Sequence, residues 1–283
     1  MKKIMNPLII GILIISGILS PLNCHGQSKN ALIRNYLTRL PQGEVKDEGT
    51  LQKYRMTAVY TNRDLYGNFT GKTKVIGDYT SGFENGYVSW NNVYISSSNK
   101  LTEPFPGGIK QEYMEDFKYF PSKQMLEEDA FKTFPASVEN VLVRNLIWDM
   151  MSIEMFAWNY SDSLILNKKY VIPEIKDEFI MADIGTYEHS GIQLCWTGIS
   201  VLNEEFCGVI EYRAIDNKIK LKMDQINTRG TEQYWGTTWI SLENKQIEYA
   251  EMFSGTIQEI EIKGSNDKFL FKTIRELWVE RIN

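Results

Sequence analysis

Lys218-Ile219-Lys220-Leu221-Lys222-Met223 is the stretch on which the fold turns. Its lysines alternate one by one with apolar residues, the period of an extended chain, so the amines face water while Ile219, Leu221 and Met223 enter a core. Downstream, Tyr234 to Leu242 and Gln246 to Met252 read as a hairpin around Glu243-Asn244-Lys245. Ile257 to Lys263 and Phe269 to Val279 read as two further strands around Gly264-Ser265-Asn266-Asp267.

Upstream, Asn203-Glu204 is a candidate hairpin centre, and short strands are expected from residue 178 onward. The β pattern opens at Tyr54 to Tyr60. Turns at Tyr66-Gly67-Asn68 and Phe83-Glu84-Asn85-Gly86 flank more strands, including Tyr87 to Ile95. Between Ser96 and Gly108, Pro104, Pro106 and Gly107-Gly108 predict a loop, because proline lacks an amide donor and glycine lacks a side chain to pack. Residues 28 to 50 are polar and predict a short N-terminal helix or arm. Serial short-range turns favour a meander or a partly closed barrel over βαβ units.

One segment breaks the pattern. Val138, Val141/Leu142, Leu146, Met150, Ile153 and Phe156/Ala157 recur at helical spacing, and Ser137 stands where a helix N-cap belongs. Ile147, Met151 and Met155 make much of the circumference apolar. Glu139, Arg144, Asp149 and Glu154 interrupt it at helical intervals, which fits a helix packed on a sheet and argues against membrane insertion.

At the N-terminus, Lys2 and Lys3 precede an apolar run from Ile9 to Leu19, followed by Pro21 and Cys24-His25-Gly26-Gln27. This is the order of a basic n-region, an h-region and a small-residue cleavage site, and the run is short for a lasting transmembrane helix. Residues 1-26 are therefore expected to be a signal peptide. Residues 27-283 would form a single β-rich domain, with a helical insertion at 136-158. The product is expected to be exported, periplasmic or extracellular. The alternative is a membrane-tethered lipoprotein through Cys24, although Asn23 replaces the small residue that usually precedes a lipidated cysteine.

Without its leader the chain keeps 29 basic and 36 acidic residues, for a formal charge of −7. That acidity, with no basic patch, argues against nucleic acid as a partner. No cofactor is expected. Cys195 and Cys207 remain, and oxidising surroundings permit a disulfide between them. A turn at Asn203-Glu204 would offset them along the hairpin, so a disulfide and two buried thiols are both open.

A strongly curved antiparallel sheet carrying the helix across its concave face would bury both. That arrangement is similar to the half-barrel of periplasmic lipoprotein-carrier proteins, with a lipocalin-like barrel as the nearest alternative. The resemblance spans the leader, the middle helix and the serial strands, and rests on arrangement rather than a residue motif. It implies a mainly β fold with a packed central helix. Function does not follow from fold.

Chemical signatures are sparse. Beyond the leader, His189 is the only histidine, and Glu188-His189 lacks the spacing of a zinc motif, so no metal site is expected. Cys195 lies six residues from His189, with Gly191 between them, which establishes no nucleophile and base pair. No nucleophile elbow, dinucleotide fingerprint or phosphate loop is present, and no catalytic residues are assigned. Asp162-Ser163-Leu164 resembles an O-glycosylation acceptor of secreted bacterial proteins, and Asn68-Phe69-Thr70 and Asn159-Tyr160-Ser161 fit N-glycosylation sequons.

Aromatic residues are concentrated at Tyr234-Trp235, Trp239, Tyr249 and Phe253. Trp235 and Trp239 share strand parity, and Tyr249 can approach them across the hairpin. Such rings fill a core, stack on a glycan or bury an acyl chain. Trp235, Trp239, Tyr249 and Ile153 are therefore the candidate ligand contacts. The leading expectation is a noncatalytic secreted or envelope-associated protein binding an apolar or amphipathic ligand, a lipid or a glycan, between sheet and helix. The alternatives are a structural surface module docking an envelope protein, and a secreted carbohydrate or envelope hydrolase.

Overall fold

In the computed structural model, which describes residues 24–40, 50–135, 137–173, 178–182, 184–222, 226–265 and 267–282, Lys218, Lys220 and Lys222 are exposed while Ile219 and Leu221 are half-buried on the opposite face. Met223 lies outside the described residues, as do the basic and apolar parts of the expected leader. The alternating run is the second half of an 18-residue strand, Glu205–Lys222.

Fifteen main elements follow in order: α1 (Cys24–Thr38), β1 (Gln52–Asp64), β2 (Phe69–Ser81), β3 (Val88–Ser98), β4 (Ile109–Lys110), β5 (Phe117–Tyr119), α2 (Val138–Trp158), β6 (Lys169–Val171), β7 (Glu178–Met181), β8 (Gly185–Glu188), β9 (Ile192–Leu202), β10 (Glu205–Lys222), β11 (Ile226–Ser241), β12 (Ile247–Ile262) and β13 (Lys268–Ile282). The strands form one curved, 13-stranded antiparallel sheet whose main path runs β4-β3-β2-β1-β13-β12-β11-β10-β8-β7, with β5 paired to β3, β9 to β10 and β6 to β9. Its two ends do not meet, so of the expected shapes the open curved sheet is the one formed and the barrel is not.

One feature differs from the sequence reading and a second was not anticipated by it. The expected strands at 246–252 and 257–263 are one continuous strand, β12, because Ser254 and Gly255 stay in register with Tyr234 and Gln233 of β11. Strand β10 has two partners in succession: β9 along Glu205 to Ala214 and β8 along Lys218 to Leu221. The change falls at an irregularity between Ala214 and Asn217, where an extra residue turns the strand.

The β9–β10 hairpin turns at Asn203 and Glu204, both at positive φ (50° and 68°), the backbone that a tight two-residue hairpin demands. This register pairs Cys207 with Ser200 and Cys195 with Glu211. The cysteines are thus offset by four strand positions, about 13 Å, beyond the reach of a disulfide. Both are free thiols.

Helix α2 lies on the inner face of the sheet. Ser137 accepts a hydrogen bond from the Asn140 amide at 3.4 Å, as its expected cap role requires. Leu146, Ile147, Met150, Ile153 and Phe156 have no exposed surface, and the Phe156 ring packs 4.7 Å from that of Tyr212 on β10. Gly77 of β2 makes room for the helix, since a methyl there would stand 3.2 Å from the Leu146 side chain.

The far side of α2 is covered as well. Phe131 packs edge-on to Trp148 at 5.7 Å, the Arg144 guanidinium lies 4.7 Å from the Phe131 ring centre, and Trp148 donates to the Met125 carbonyl at 2.8 Å. A helix enclosed by a sheet on one side and a folded connection on the other needs apolar residues nearly all round, which accounts for Met151 and Met155. Among the described residues no helix is long and apolar enough to cross a membrane.

Candidate functional site

Between α2 and the sheet, the space expected to hold a ligand is filled. Ile153, one of the four candidate contacts, stands in that closed core with no exposed surface. A crevice beside the end of α2, lined by Leu40, Ala157, Ile210 and Leu242, measures about 20 Å³, room for no more than a water molecule.

A charged cluster is also enclosed on this inner face. Arg275 of β13 donates to Asp149 of α2 at 2.8 Å, to Glu232 of β11 at 3.4 Å and to the Ser254 hydroxyl at 3.2 Å. Tyr187 donates to the other Glu232 oxygen at 2.7 Å. Burial pushes the Asp149 carboxyl up to about 6, against the opposing pull of Arg275. Beside this cluster, the His189 ring lies 4.7 Å from Tyr187, 5.6 Å from Phe179 and 6.2 Å from Tyr234. Burial among these rings drives the imidazole down to about 4, so it is neutral at pH 7. These groups join helix to sheet. The Asp149 and Arg275 side chains are only 13% and 10% exposed, which leaves little approach for a substrate.

An open polar cleft of about 550 Å³ lies where β1, β2 and β3 meet the 99–106 loop. Of its two lysines, Lys72 is held by the Leu101 and Glu103 carbonyls at 2.9 and 2.6 Å and by the Phe105 ring at 4.6 Å, and Lys100 by the Glu103 carboxylate at 2.7 Å.

The other three candidates are on the outer face, turned away from α2. Strand register there lays down three rows across β10, β11, β12 and β13. Arg213, Trp235, Phe253 and Glu276 form the first; Glu211, Thr237, Glu251 and Trp278 the second; Val209, Trp239, Tyr249 and Glu280 the third. Every one of these residues is exposed or half-buried, and the alternating positions between them are mostly buried against the core. Rows about 6.7 Å apart and strands about 4.8 Å apart make an area of about 13 by 14 Å on the outer side of the curved sheet.

Rings meet in pairs across this face. Trp235, 48% exposed, stacks with Phe253 at 6.1 Å and an interplanar angle of 25°, and Trp239 tilts against Tyr249 at 5.3 Å. Glu251 lies between the two pairs with Trp278 directly across the ladder. Its backbone is fixed from beneath, where the Tyr212 hydroxyl donates to the Glu251 carbonyl at 2.8 Å. Gly236 permits that approach, because a methyl at this position would collide with both groups. Half-burial raises the Glu251 carboxyl above the usual carboxylate range, with no cation opposing the shift. Arg213, at the corner, is turned to Gln193 at 3.0 Å.

Parity placed Trp235 and Trp239 on one face from sequence, and the hairpin reading brought Tyr249 toward them. Trp278 and Glu251 escaped notice because their place depends on the β12–β13 register, for which a short run of residues carries no signal. Of the other motifs, Ser163 is exposed on a short turn after α2 and Asn68 on the β1–β2 turn. Among the described residues no group of three or more His, Cys, Asp or Glu could hold a metal ion.

No protein-family model and no curated protein matches the chain. A solved structure described as "Lipid-protein interactions in lipovitellin" is distantly similar, at 10% identity and a TM-score of 0.44, over 84% of this chain. This chain spans about a quarter of that protein's length, 25%, and an overlap this loose carries no argument about a ligand.

Proposed function

We propose that the protein is an exported, noncatalytic binding protein whose amphipathic ligand lies on the outer face of β10 to β13. The observation that carries this reading is the concentration of five aromatic rings, interleaved with carboxylates and all exposed or half-buried, on the face turned away from α2. Scattered exposed apolar residues are ordinary, whereas rings gathered in one patch are a common mark of a binding surface. Rings supply apolar contact area and Glu side chains supply acceptors, so the match is to a ligand with both apolar and polar parts. The area, about 180 Å² from the strand spacings, falls well below the ~800 Å² per partner of a stable protein interface. A small molecule or a short extended segment fits it better than a folded domain. An open outer face excludes no water, which favours binding over hydrolysis.

Intrinsic tryptophan fluorescence provides the test. Amphipathic probes such as decyl maltoside should shift the emission of wild type in a saturable way, and a variant carrying both Trp235→Ala and Trp239→Ala should lose the response while keeping its melting temperature within a few degrees. A saturable response that survives both substitutions would place the ligand elsewhere.

A further inference from the structure

Resting on the reading of the outer face as a binding surface, we propose that its ligand is cationic: an extended polypeptide segment bearing Lys or Arg, one of whose charged groups pairs with Glu251 while lying over the neighbouring rings. The grid carries four carboxylates against one guanidinium, and that guanidinium points to Gln193. Among the described residues the Glu251 side chain has no hydrogen bond or ion pair. Its closest same-face neighbours are Tyr249 and Phe253 along β12 and Thr237 and Trp278 across the ladder.

An aromatic face attracts a cation through its ring quadrupole, and a half-desolvated carboxylate attracts it through charge; a group seated here gains both. Tyr249 and Phe253 provide rings on either side of the carboxylate. A neutral ligand would further desolvate Glu251 without supplying an opposite charge, and an anionic lipid or nucleic acid would add repulsion. An extended peptide presents same-side residues about 6.7 Å apart, the interval between the rows of the grid. On β13, Glu276 and Glu280 stand one row to either side of Trp278, about 13 Å apart, so basic side chains two same-side positions apart on an extended peptide reach both carboxylates with the Trp278 ring between them.

The experiment titrates wild type, Glu251→Gln and the remote control Glu261→Gln with a hexaarginine peptide, followed by tryptophan fluorescence and calorimetry at low and high salt. Cellohexaose and decyl maltoside serve as neutral probes. Wild type and Glu261→Gln should bind hexaarginine alike, with affinity falling as salt rises. Glu251→Gln should weaken binding about tenfold, the equivalent of about 1.4 kcal/mol, with an unchanged melting curve. Equal weakening by the two Gln variants would reduce the effect to general acidity and overturn the proposal. Saturable binding of a neutral probe, dependent on Trp235 and indifferent to Glu251, with no binding of hexaarginine, would overturn the cationic ligand and leave the surface reading intact. If none of the probes binds, both readings fall.

Discussion

Ile153 has no exposed surface and stands where the α2 stripe meets the sheet. Ile153→Ala should cost about 2 to 4 kcal/mol in two-state urea denaturation, since truncation loses transfer energy and leaves a cavity in a closely packed layer. A loss below about 0.5 kcal/mol would mean that the site collapses freely or is not core. Any ligand of the outer face should stabilise this variant as much as wild type, because the residue lies on the other side of the sheet. His189 makes a second prediction. Its imidazole sits at about 4 in the fold against an ordinary 6.5, so keeping it neutral contributes stability that is complete above pH 6.5 and is lost as pH falls toward 4. Asp149 acts in the opposite sense: raised to about 6 from 3.8, its carboxyl takes a proton first in the folded state and gains stability over much of the same range. The difference in unfolding free energy between wild type and His189→Gln removes the Asp149 contribution. That difference should fall by about 2 to 3 kcal/mol between pH 6.5 and pH 4. A constant difference would show that the ring protonates as readily folded as unfolded.

At the level of elements, α2 is tied to the sheet by charge as well as by packing. Arg275→Leu would leave Asp149 and Glu232 buried without their shared cation, at a cost of about 3 to 5 kcal/mol. Adding Asp149→Asn should recover part of the loss, with a coupling of about 1 kcal/mol or more in a double-mutant cycle; strictly additive losses would show that the two act independently. None of this cluster was legible in the sequence. Arg275 lies 126 residues from Asp149 and 43 from Glu232, and contacts of that span leave no local pattern. The helix itself was legible, because its spacing and its Ser137 cap are properties of neighbouring residues. So were the turns at Asn203-Glu204 and around residues 243 to 245. Strand length was less so. Ser254 and Gly255 have the composition of a break, yet β12 runs through them because both are paired on either side, Ser254 with Tyr234 and Arg275 and Gly255 with Gln233 and Ile274, partners invisible from the local sequence.

For the molecule as a whole, the decisive connection is β13, which lies between β1 and β12. Met56 pairs with Val279 on one side of it and Ala250 pairs with Val279 on the other. Removing residues 266 to 283 would therefore separate β1 to β5 from β6 to β12 and open two long edges in mid-sheet. We expect the truncated chain to lose cooperative thermal unfolding and to aggregate, as exposed strand edges do. A sharp transition near that of the full chain would show that one of the halves folds alone. The pairing of strands so far apart in sequence also predicts folding on a slow scale, milliseconds to seconds or longer, since a large loop must close before those contacts form.

Among the described strands, that central strand is also the last to leave the ribosome. While residues 268 to 282 are still being made, β1 and β12 have no partner between them, and the sheet cannot be completed whatever else has collapsed. Synthesis order thus builds in a delay before the sheet can close. The same delay leaves two unsatisfied edges waiting, so a chaperone that covers them would act before the final strand arrives and have no foothold after it.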